Sequence, residues 1–206
     1  PHGLPNVRKL GADIYLFSTN KTYGPHQGVM VIRRDLGMAL PTQGPCFNGE
    51  TLYQRFTPAG PDHAQIAACA GIADYIDALY KHHFKAGRDG AGRGEIVHDM
   101  MRAGESHLLG PLLEYLKGKN SVRLLGPTNP RARAPTVALA LNEPGHQAAR
   151  RLAHHGILCG GGSCYAERAV RALGIDPHHG VLRLSVVHYT TEAEVDRLIT
   201  ALDHEL

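Results

Sequence analysis

Residues 13–30, DIYLFSTNKTYGPHQGVM, indicate the fold more clearly than any other stretch, as a strand, a polar turn and a second strand. The apolar residues at its start predict a buried strand, and residues 29–32 predict another. Between them, a glycine-proline-glycine break predicts a fixed turn that presents Lys21. A lysine on such a turn can be partly desolvated, which lowers the pKa of its amine and favours Schiff-base formation. A solvated turn lysine is the alternative.

The composition is that of an ordinary globular protein, with 43% hydrophobic and 20% charged residues in a chain of 206. The net charge is +3 with neutral histidines, and the basic residues are scattered rather than arranged in stripes. We therefore expect neither a nucleic acid nor a membrane as partner. No apolar run approaches the roughly 20 residues of a membrane span, so a soluble protein is expected.

The four cysteines have no zinc-finger spacing, and a chain of this size needs no disulfide framework. They are Cys46, Cys69, Cys159 and Cys164. A reducing cytoplasm is the location that this cysteine usage predicts. The 14 histidines include adjacent pairs, whose side chains diverge on a helix or a strand. No His-Glu-x-x-His pattern occurs, so no metal site is expected.

The glycine-rich stretch 87–94 is the clearest shift in composition. It predicts a boundary between a first domain, residues 1–90, and a second domain, residues 91–206. In the first domain, the many glycines and prolines of 34–57 predict an irregular segment. The spacing of apolar residues over 62–84 predicts one long amphipathic helix, with Asp62 at its N-cap.

The second domain reads as a small α+β domain in which helices cover an antiparallel sheet. We expect, in order, a helix over 94–118, strands over 121–125 and 135–141, a helix over 144–156, a strand over 157–159, a helix over 165–173, a strand over 181–188 and a helix over 190–205.

The lysine turn resembles a known motif. STNK at residues 18–21, followed by YGP at 23–25, is similar to the lysine motif of class V aminotransferases. These are pyridoxal 5′-phosphate (PLP) enzymes of fold type I, and they include the cysteine desulfurases. The resemblance implies that Lys21 binds PLP as an internal aldimine and that Ser18 hydrogen-bonds the cofactor phosphate. Asn20 replaces the family's usual histidine and can still donate a hydrogen bond.

A second resemblance lies near the end of the chain. GVLRLS at 180–185 and HYTTEAEVD at 188–196 are similar to the closing pattern of the family. The resemblance implies that Arg183 binds the substrate's α-carboxylate, a role that suits a guanidinium because it grips a carboxylate with two hydrogen bonds. A helix–sheet salt bridge is the alternative. If Thr191 caps the last helix, Glu194 completes a capping box.

The glycine run resembles a third family segment. In one group of cysteine desulfurases this region carries Gly-x-x-Cys-Ala, with a nucleophilic cysteine over the substrate. In GGGSCYA, residues 160–166, Tyr165 occupies the nucleophile position and Cys164 stands one residue earlier. A Gly-x-x-Tyr-Ala step is expected in a cysteine desulfurase-like subgroup. Cys164 is therefore a candidate persulfide carrier, and a packed thiol is the alternative.

AGPDH at residues 59–63 occupies the place of the family's Gly-Thr-x-Asn segment. By the resemblance, this segment reaches the PLP phosphate of the partner subunit. Gly60 stands at the threonine position, so backbone N–H groups at the following helix start would have to meet the phosphate. His63 could contact the cofactor, and a solvated histidine is the alternative.

The resemblance covers essentially the whole chain, and it implies a fold class. We expect the C-terminal part of a fold type I PLP-dependent large domain, followed by a small α+β domain with an antiparallel sheet. The family's phosphate-loop glycines, ring-stacking aromatic residue and pyridinium aspartate would precede residue 1. Because the chain also lacks an initiator methionine, we expect the C-terminal half of an enzyme whose complete form is a homodimer.

The function implied is PLP-dependent chemistry on an amino acid. Cysteine desulfurase-like or lyase chemistry ranks first, and class V aminotransferase activity on another amino acid ranks second. A catalytically incomplete C-terminal fragment, able at most to bind or dimerise, is the rival from another class. A metal-binding or nucleic-acid-binding module is a third class that stability without metal and weak heparin retention would exclude.

Overall fold

The structure, a computed structural model, describes residues 5–57, 59–85 and 87–206. The chain divides into two compact units, of which the first ends at His98 and the second begins at Asp99. The division falls inside a long helix, Gly90–Lys117. Residues 90 and 91, between which the sequence places a domain boundary, belong to the first turn of this helix.

In the first unit, a hairpin is followed by short helices. Its elements are α1 (Val7–Leu10), β1 (Ile14–Ser18), a 3₁₀ turn (Thr19–Lys21), β2 (Gly28–Ile32), α2 (Arg34–Ala39), a second 3₁₀ turn (Cys46–Asn48), α3 (Leu52–Phe56), α4 (His63–Ala68), α5 (Ala70–His83) and the first turns of α6 (Gly90–Lys117). The predicted strand–turn–strand order is confirmed. So is the predicted N-cap, because the Asp62 carboxylate accepts a hydrogen bond from the Gln65 N–H at 3.0 Å.

Two expectations for this unit are wrong. The segment 34–57, expected to be irregular, contains α2 and α3, and the Thr51 hydroxyl caps α3 by accepting the Gln54 N–H. The expected single helix over 62–84 is interrupted at Cys69, whose N–H bonds to the Ile66 carbonyl in the tighter i→i+3 manner. Local capping and this tight turn are not visible in the spacing of apolar residues.

The hairpin strands are less buried than the sequence predicts. β1 and β2 pair antiparallel, from Ile14 opposite Ile32 to Ser18 opposite Gly28. Leu16 is 69% exposed, and Phe17 is also exposed. Within the described residues this sheet has only two strands, so no third strand pairs with the hairpin.

The second unit is a four-stranded antiparallel sheet with helices. The strands are β3 (Arg123–Leu125), β4 (Thr136–Ala140), β5 (Gly160–Gly162) and β6 (Val181–Ser185), in the order β3-β4-β6-β5, and the helices after α6 are α7 (Gly145–His154), α8 (Glu167–Ala172) and α9 (Glu192–Glu205). The expected strand at 157–159 is wrong, because the glycine run itself forms β5. A Cβ atom on Gly161 would lie 2.4 Å from the backbone of His146, so only glycine lets this strand approach α7 so closely.

The core of the second unit joins one face of the sheet to α6, α7 and α9. On β6, Leu182 and Leu184 are buried while Arg183 and Ser185 are exposed, as strand alternation requires. Each fully buried leucine contributes about 1.5–3 kcal/mol. Five leucines of α6 belong to this core: Leu108, Leu109, Leu112, Leu113 and Leu116.

The last helix begins as the sequence predicts. The Thr191 side chain accepts the Glu194 N–H, and the Glu194 carboxylate accepts the Thr191 N–H at 2.8 Å. This reciprocal capping box satisfies two backbone donors at the start of α9. The bond from the Thr191 N–H also lowers the pKa of the Glu194 carboxyl below its usual range.

Candidate active site

Lys21 ends the 3₁₀ turn that follows β1. Its side chain is exposed, so the partial desolvation expected from the sequence is not present among the residues described. Among the residues placed by the structure this sheet has only two strands, so no third strand of that part of the chain covers the turn. The turn nevertheless has a defined geometry, because the Thr22 and Gly24 N–H groups both donate to the Thr19 carbonyl, at 2.7 and 2.9 Å.

Lys21 and Ser18 line one cleft of the first unit, with a volume of about 660 Å³. The structure therefore brings two of the predicted site residues together. The remaining lining residues come from residues 5–7, from β1, from the end of the lysine turn and from the start of α6: Pro5, Asn6, Val7, Tyr15, Phe17, Thr22, Gly90, Ala91, Gly94 and Glu95.

The chemistry of this cleft fits PLP. The cofactor carries an aldehyde, a phosphate and a flat ring, and it needs an amine, hydrogen-bond donors and apolar surface. Lys21 supplies the amine, Ser18 and Thr22 supply hydroxyl groups, and Tyr15 and Phe17 supply aromatic surface with ring centroids 6.2 Å apart.

An ion pair holds in place the start of α6, which lines part of the cleft. Arg93 donates to both carboxylate oxygens of Asp77 on α5, at 2.7 and 2.9 Å. These bonds lower the pKa of the Asp77 carboxyl and hold the first turns of α6 against α5. Gly94 and Glu95 are thereby held at the cleft. Glu95 carries no local sequence signal that would place it beside Lys21, because the two residues are distant along the chain.

Three other predicted cofactor residues do not line this cleft. Asn20 is half-buried within the turn, Gly60 is exposed with open space around it, and His63 is the first residue of α4. By the resemblance, Gly60 and His63 belong near the cofactor of a partner subunit, so their roles stay predictions.

Arg183 lies on the exposed face of β6 between small residues of the neighbouring strands. Its register partners are Ala138 on β4 and Gly160 on β5. A Cβ atom on Gly160 would lie 3.5 Å from the Arg183 Nε atom, so the guanidinium packs over this glycine. No described residue forms a salt bridge or hydrogen bond with that guanidinium, so the helix–sheet salt bridge considered as an alternative is not found there.

Cys164 lies in a backbone conformation that L-residues rarely adopt. Its φ is 52°, and the φ of Tyr165 is 62°. Such conformations cost about 1–3 kcal/mol each and cluster at functional sites. Cys164 forms no disulfide and is half-buried, while the Tyr165 side chain is fully exposed. Burial raises the pKa of the Cys159 thiol, which disfavours its reactive thiolate form.

Neither a metal centre nor a membrane span emerges from the described residues. No group of three or more His, Cys, Asp or Glu side chains among them is arranged to hold a metal ion. None of the described helices is both long enough and apolar enough to cross a bilayer.

Comparison with known families decides the affiliation. The family model "Aminotransferase class-V" matches residues 94–198, about half of the chain. The chain belongs to the class V aminotransferase family. Lys21 precedes the matched residues, so its role does not follow from this match.

Curated relatives extend the likeness of this class V chain to nearly its whole length. An aminotransferase-like protein of Gibberella zeae is 29% identical over 98% of the chain and 48% of its own length. A cysteine desulfurase of Pectobacterium carotovorum is 29% identical over 98% of the chain and 47% of its own length. The chain thus spans about half the length of the curated relatives it matches.

A solved structure confirms the predicted fold class. The apo cysteine desulfurase of Thermococcus onnurineus superimposes with a TM-score of 0.76 at 24% identity, covering 96% of this chain and 48% of that one. At this identity the likeness concerns the fold alone. The class V chain therefore has an α/β fold of the fold type I kind, with small antiparallel sheets.

Proposed function

We propose that this class V family member is a PLP-dependent enzyme acting on an amino acid and that Lys21 holds the cofactor. The observation that carries the proposal is the shared cleft of Lys21 and Ser18, in a chain of a family whose members use PLP. The Lys21 amine is the group that would bind the aldehyde. The Ser18 hydroxyl would donate a hydrogen bond to the phosphate, and the Asn20 side chain, next to Lys21 in the chain, would donate another.

The cofactor and Lys21 are proposed to have different chemical roles. PLP, when bound, supplies an electron sink for a bond broken at the substrate α-carbon. The Lys21 Nζ atom, at the exposed end of its turn, is the group proposed to carry a proton to and from that carbon.

Arg183 is proposed to bind the substrate carboxylate. Support comes from its exposed position and from the lack of a salt bridge or hydrogen bond to a described residue. The small neighbours Ala138 and Gly160 leave room for a planar carboxylate to approach both terminal nitrogens. Two charged hydrogen bonds from the Arg183 guanidinium to the carboxylate would orient the substrate as well as bind it.

Cysteine desulfurase-like chemistry is the reaction we rank first. The curated relative named a cysteine desulfurase and the strained backbone at Cys164 favour it. In that reaction the Cys164 thiolate attacks the substrate sulfur, which moves to Cys164 as a persulfide, and a proton replaces it on the carbon skeleton to give alanine. Tyr165 at the family's usual nucleophile position favours the second candidate, an aminotransferase acting on another amino acid.

The complete enzyme is proposed to be a homodimer, in which Gly60 and His63 approach the partner subunit's cofactor. A catalytically incomplete chain remains the rival proposal for these 206 residues, since the relatives are about twice as long.

A product assay separates these proposals. The chain is supplied with PLP and either L-cysteine with dithiothreitol, a thiol that reduces a persulfide and releases its sulfide, or another L-amino acid with a 2-oxo acid acceptor. Alanine, sulfide and new 2-oxo acids are measured. Alanine with an equal amount of sulfide, lost in Cys164→Ser and kept in Cys159→Ser, supports desulfurase chemistry. New 2-oxo acids that survive Cys164→Ser support an aminotransferase. No product from any amino acid would contradict an active enzyme and favour the incomplete chain.

A further inference from the structure

Thr19 is the most buried residue of the lysine turn. Its exposure is 1%, whereas Lys21 two positions later is exposed. Among the described residues, the other buried polar side chains are Asn48 and Glu105, neither of which lies in this turn. Burying a hydroxyl is unfavourable unless it is hydrogen-bonded, so the surroundings of Thr19 are informative.

The Thr19 hydroxyl contacts two main-chain carbonyls of the segment that follows Lys21. Its Oγ1 atom lies 2.6 Å from the Pro25 carbonyl oxygen and 3.0 Å from the Gln27 carbonyl oxygen. A hydroxyl has one proton, so it donates to one of these carbonyls at a time. The main chain adds a parallel link, because the Thr19 N–H donates to the Gln27 carbonyl at 2.9 Å.

Packing holds Thr19 in place from the other side. A Cβ atom on Gly24 would lie 3.0 Å from the Thr19 Cβ and 2.6 Å from the Ile72 Cδ1 atom of α5. The Cys69 thiol lies 3.9 Å from the Thr19 hydroxyl. Thr19 therefore packs on Gly24, which in turn packs on Ile72 of α5, and its hydroxyl contacts Cys69 just before that helix.

We propose that Thr19 is a positioning residue for Lys21, holding the turn so that the lysine amine stays at the cleft. This inference rests on the proposed role of Lys21 as the cofactor lysine. Thr19 is not proposed to touch the cofactor. Its hydroxyl anchors Pro25 and Gln27, and this anchor preserves the Thr22 and Gly24 N–H bonds to the Thr19 carbonyl, which set the direction in which the chain leaves Lys21.

The test uses Thr19→Val, which keeps the shape of the side chain and removes the hydroxyl, and Thr19→Ser, which keeps the hydroxyl. Thr136→Val is the matched control, because the Thr136 hydroxyl pairs with Ser185 at an exposed site of the second unit. Two quantities are measured on the full 206-residue chain. They are hydrogen exchange at the Thr22 and Gly24 amides, and the rate of PLP labelling at Lys21 as a function of pH after borohydride reduction.

For Thr19→Val we expect amide exchange at Thr22 and Gly24 about tenfold faster than in the wild type. Labelling of Lys21 should fall about tenfold relative to Lys81, with an altered pH profile, because a misplaced reactive group reacts slowly. Thr19→Ser should restore both quantities, and Thr136→Val should change neither.

Faster exchange with unchanged Lys21 labelling would reduce Thr19 to a structural residue and overturn the inference. Unchanged exchange in Thr19→Val would overturn it as well. If wild-type Lys21 labels no faster than Lys81, the proposed cofactor role of Lys21 fails, and with it the positioning role that rests on it. The exchange data would still show whether Thr19 orders the turn, so the two failures are distinguishable.

If Thr19→Val does not fold, the pair Thr19→Ser and Thr19→Ala provides the same comparison, with the hydroxyl present in the first variant and absent in the second.

Discussion

Lys21 on its turn and Arg183 on β6 are the two exposed cationic residues to which the proposed function assigns roles. The roles proposed for Lys21, Ser18 and Arg183 rest on motifs that are short and local in the sequence. The importance of Thr19 cannot be predicted from the sequence, because it depends on carbonyls of Pro25 and Gln27 that approach Thr19 only after the turn has formed. The exposure of Lys21 is likewise a property of the surrounding sheet, not of the motif.

Substituting Arg183 tests its proposed role in binding the carboxylate. Because hydrogen bonds to a charged group contribute about 1.5–3 kcal/mol, we expect Arg183→Gln to lower kcat/KM for the preferred amino acid about 10–100-fold. Arg183→Lys keeps the charge and loses the bidentate hydrogen bonding, so an intermediate loss of kcat/KM is expected. The steady-state kinetics of these variants are compared with those of Arg168→Gln, a control that replaces an exposed arginine of α8. Equal kinetics for Arg183→Gln and the control would refute the role.

At the level of elements, the strands of the second unit were predicted with one exception. Apolar alternation reveals β4 and β6, and the capping box marks the start of α9. A run of three glycines has no such pattern, and β5 forms there because glycine permits close contact with α7. That contact is long-range, so it could not be read from the local sequence.

A methyl group at Gly161 should separate β5 from α7. The added Cβ would lie 2.4 Å from the His146 backbone, and backbone cannot move as a flexible side chain does. We expect Gly161→Ala to reduce the free energy of unfolding by about 1–3 kcal/mol, as overpacking usually does. Gly104→Ala is the control, because a Cβ there meets nothing within 4 Å, and alanine in a helix should be neutral or stabilising. Equal unfolding curves for the two variants in urea would argue against the tight contact.

At the scale of the whole second unit, a charged cluster ties α7 to the end of α9. Arg151 donates to both carboxylate oxygens of Glu143, at 2.5 and 2.7 Å, and to Glu205 at 2.7 Å. His155 lies 2.8 Å from the other Glu205 oxygen. Arg151 lowers the pKa of the Glu143 carboxyl, and His155 and Arg151 together lower that of Glu205. Both lowered pKa values mean that the ionised carboxylates stabilise the fold.

This stabilisation should be present above the ordinary glutamate pKa of 4.5 and lost as the pH falls through the lowered values. We expect Arg151→Gln to lower the Tm by about 2–4 °C near neutral pH, because the cluster is partly solvent-screened. The difference from the wild type should shrink as the pH falls below 4.5. Arg171→Gln, which breaks the exposed pair with Glu167, should leave the Tm nearly unchanged. A pH-independent difference for Arg151→Gln would contradict the ionic origin of the effect.

The two units also differ in how completely they bury their apolar residues. The second unit has a continuous core, whereas the hairpin of the first unit exposes Leu16, Val31 and several of their neighbours. Leu112→Ala in the core should therefore cost about 2–5 kcal/mol of unfolding free energy in urea denaturation. Leu16→Ala, at a 69% exposed site, should cost far less, and a comparable loss would contradict this difference in packing.

The measurement that tests the central claim most directly is the position of a trapped cofactor. The chain is mixed with PLP, reduced with borohydride and digested, and the pyridoxyl mass is located by peptide mapping. We expect a label confined to the Lys21 peptide, absent in Lys21→Ala and retained in Lys81→Ala, which replaces an exposed lysine of α5. A label spread evenly over the lysines and unchanged in Lys21→Ala would contradict Lys21 as the cofactor lysine of this chain.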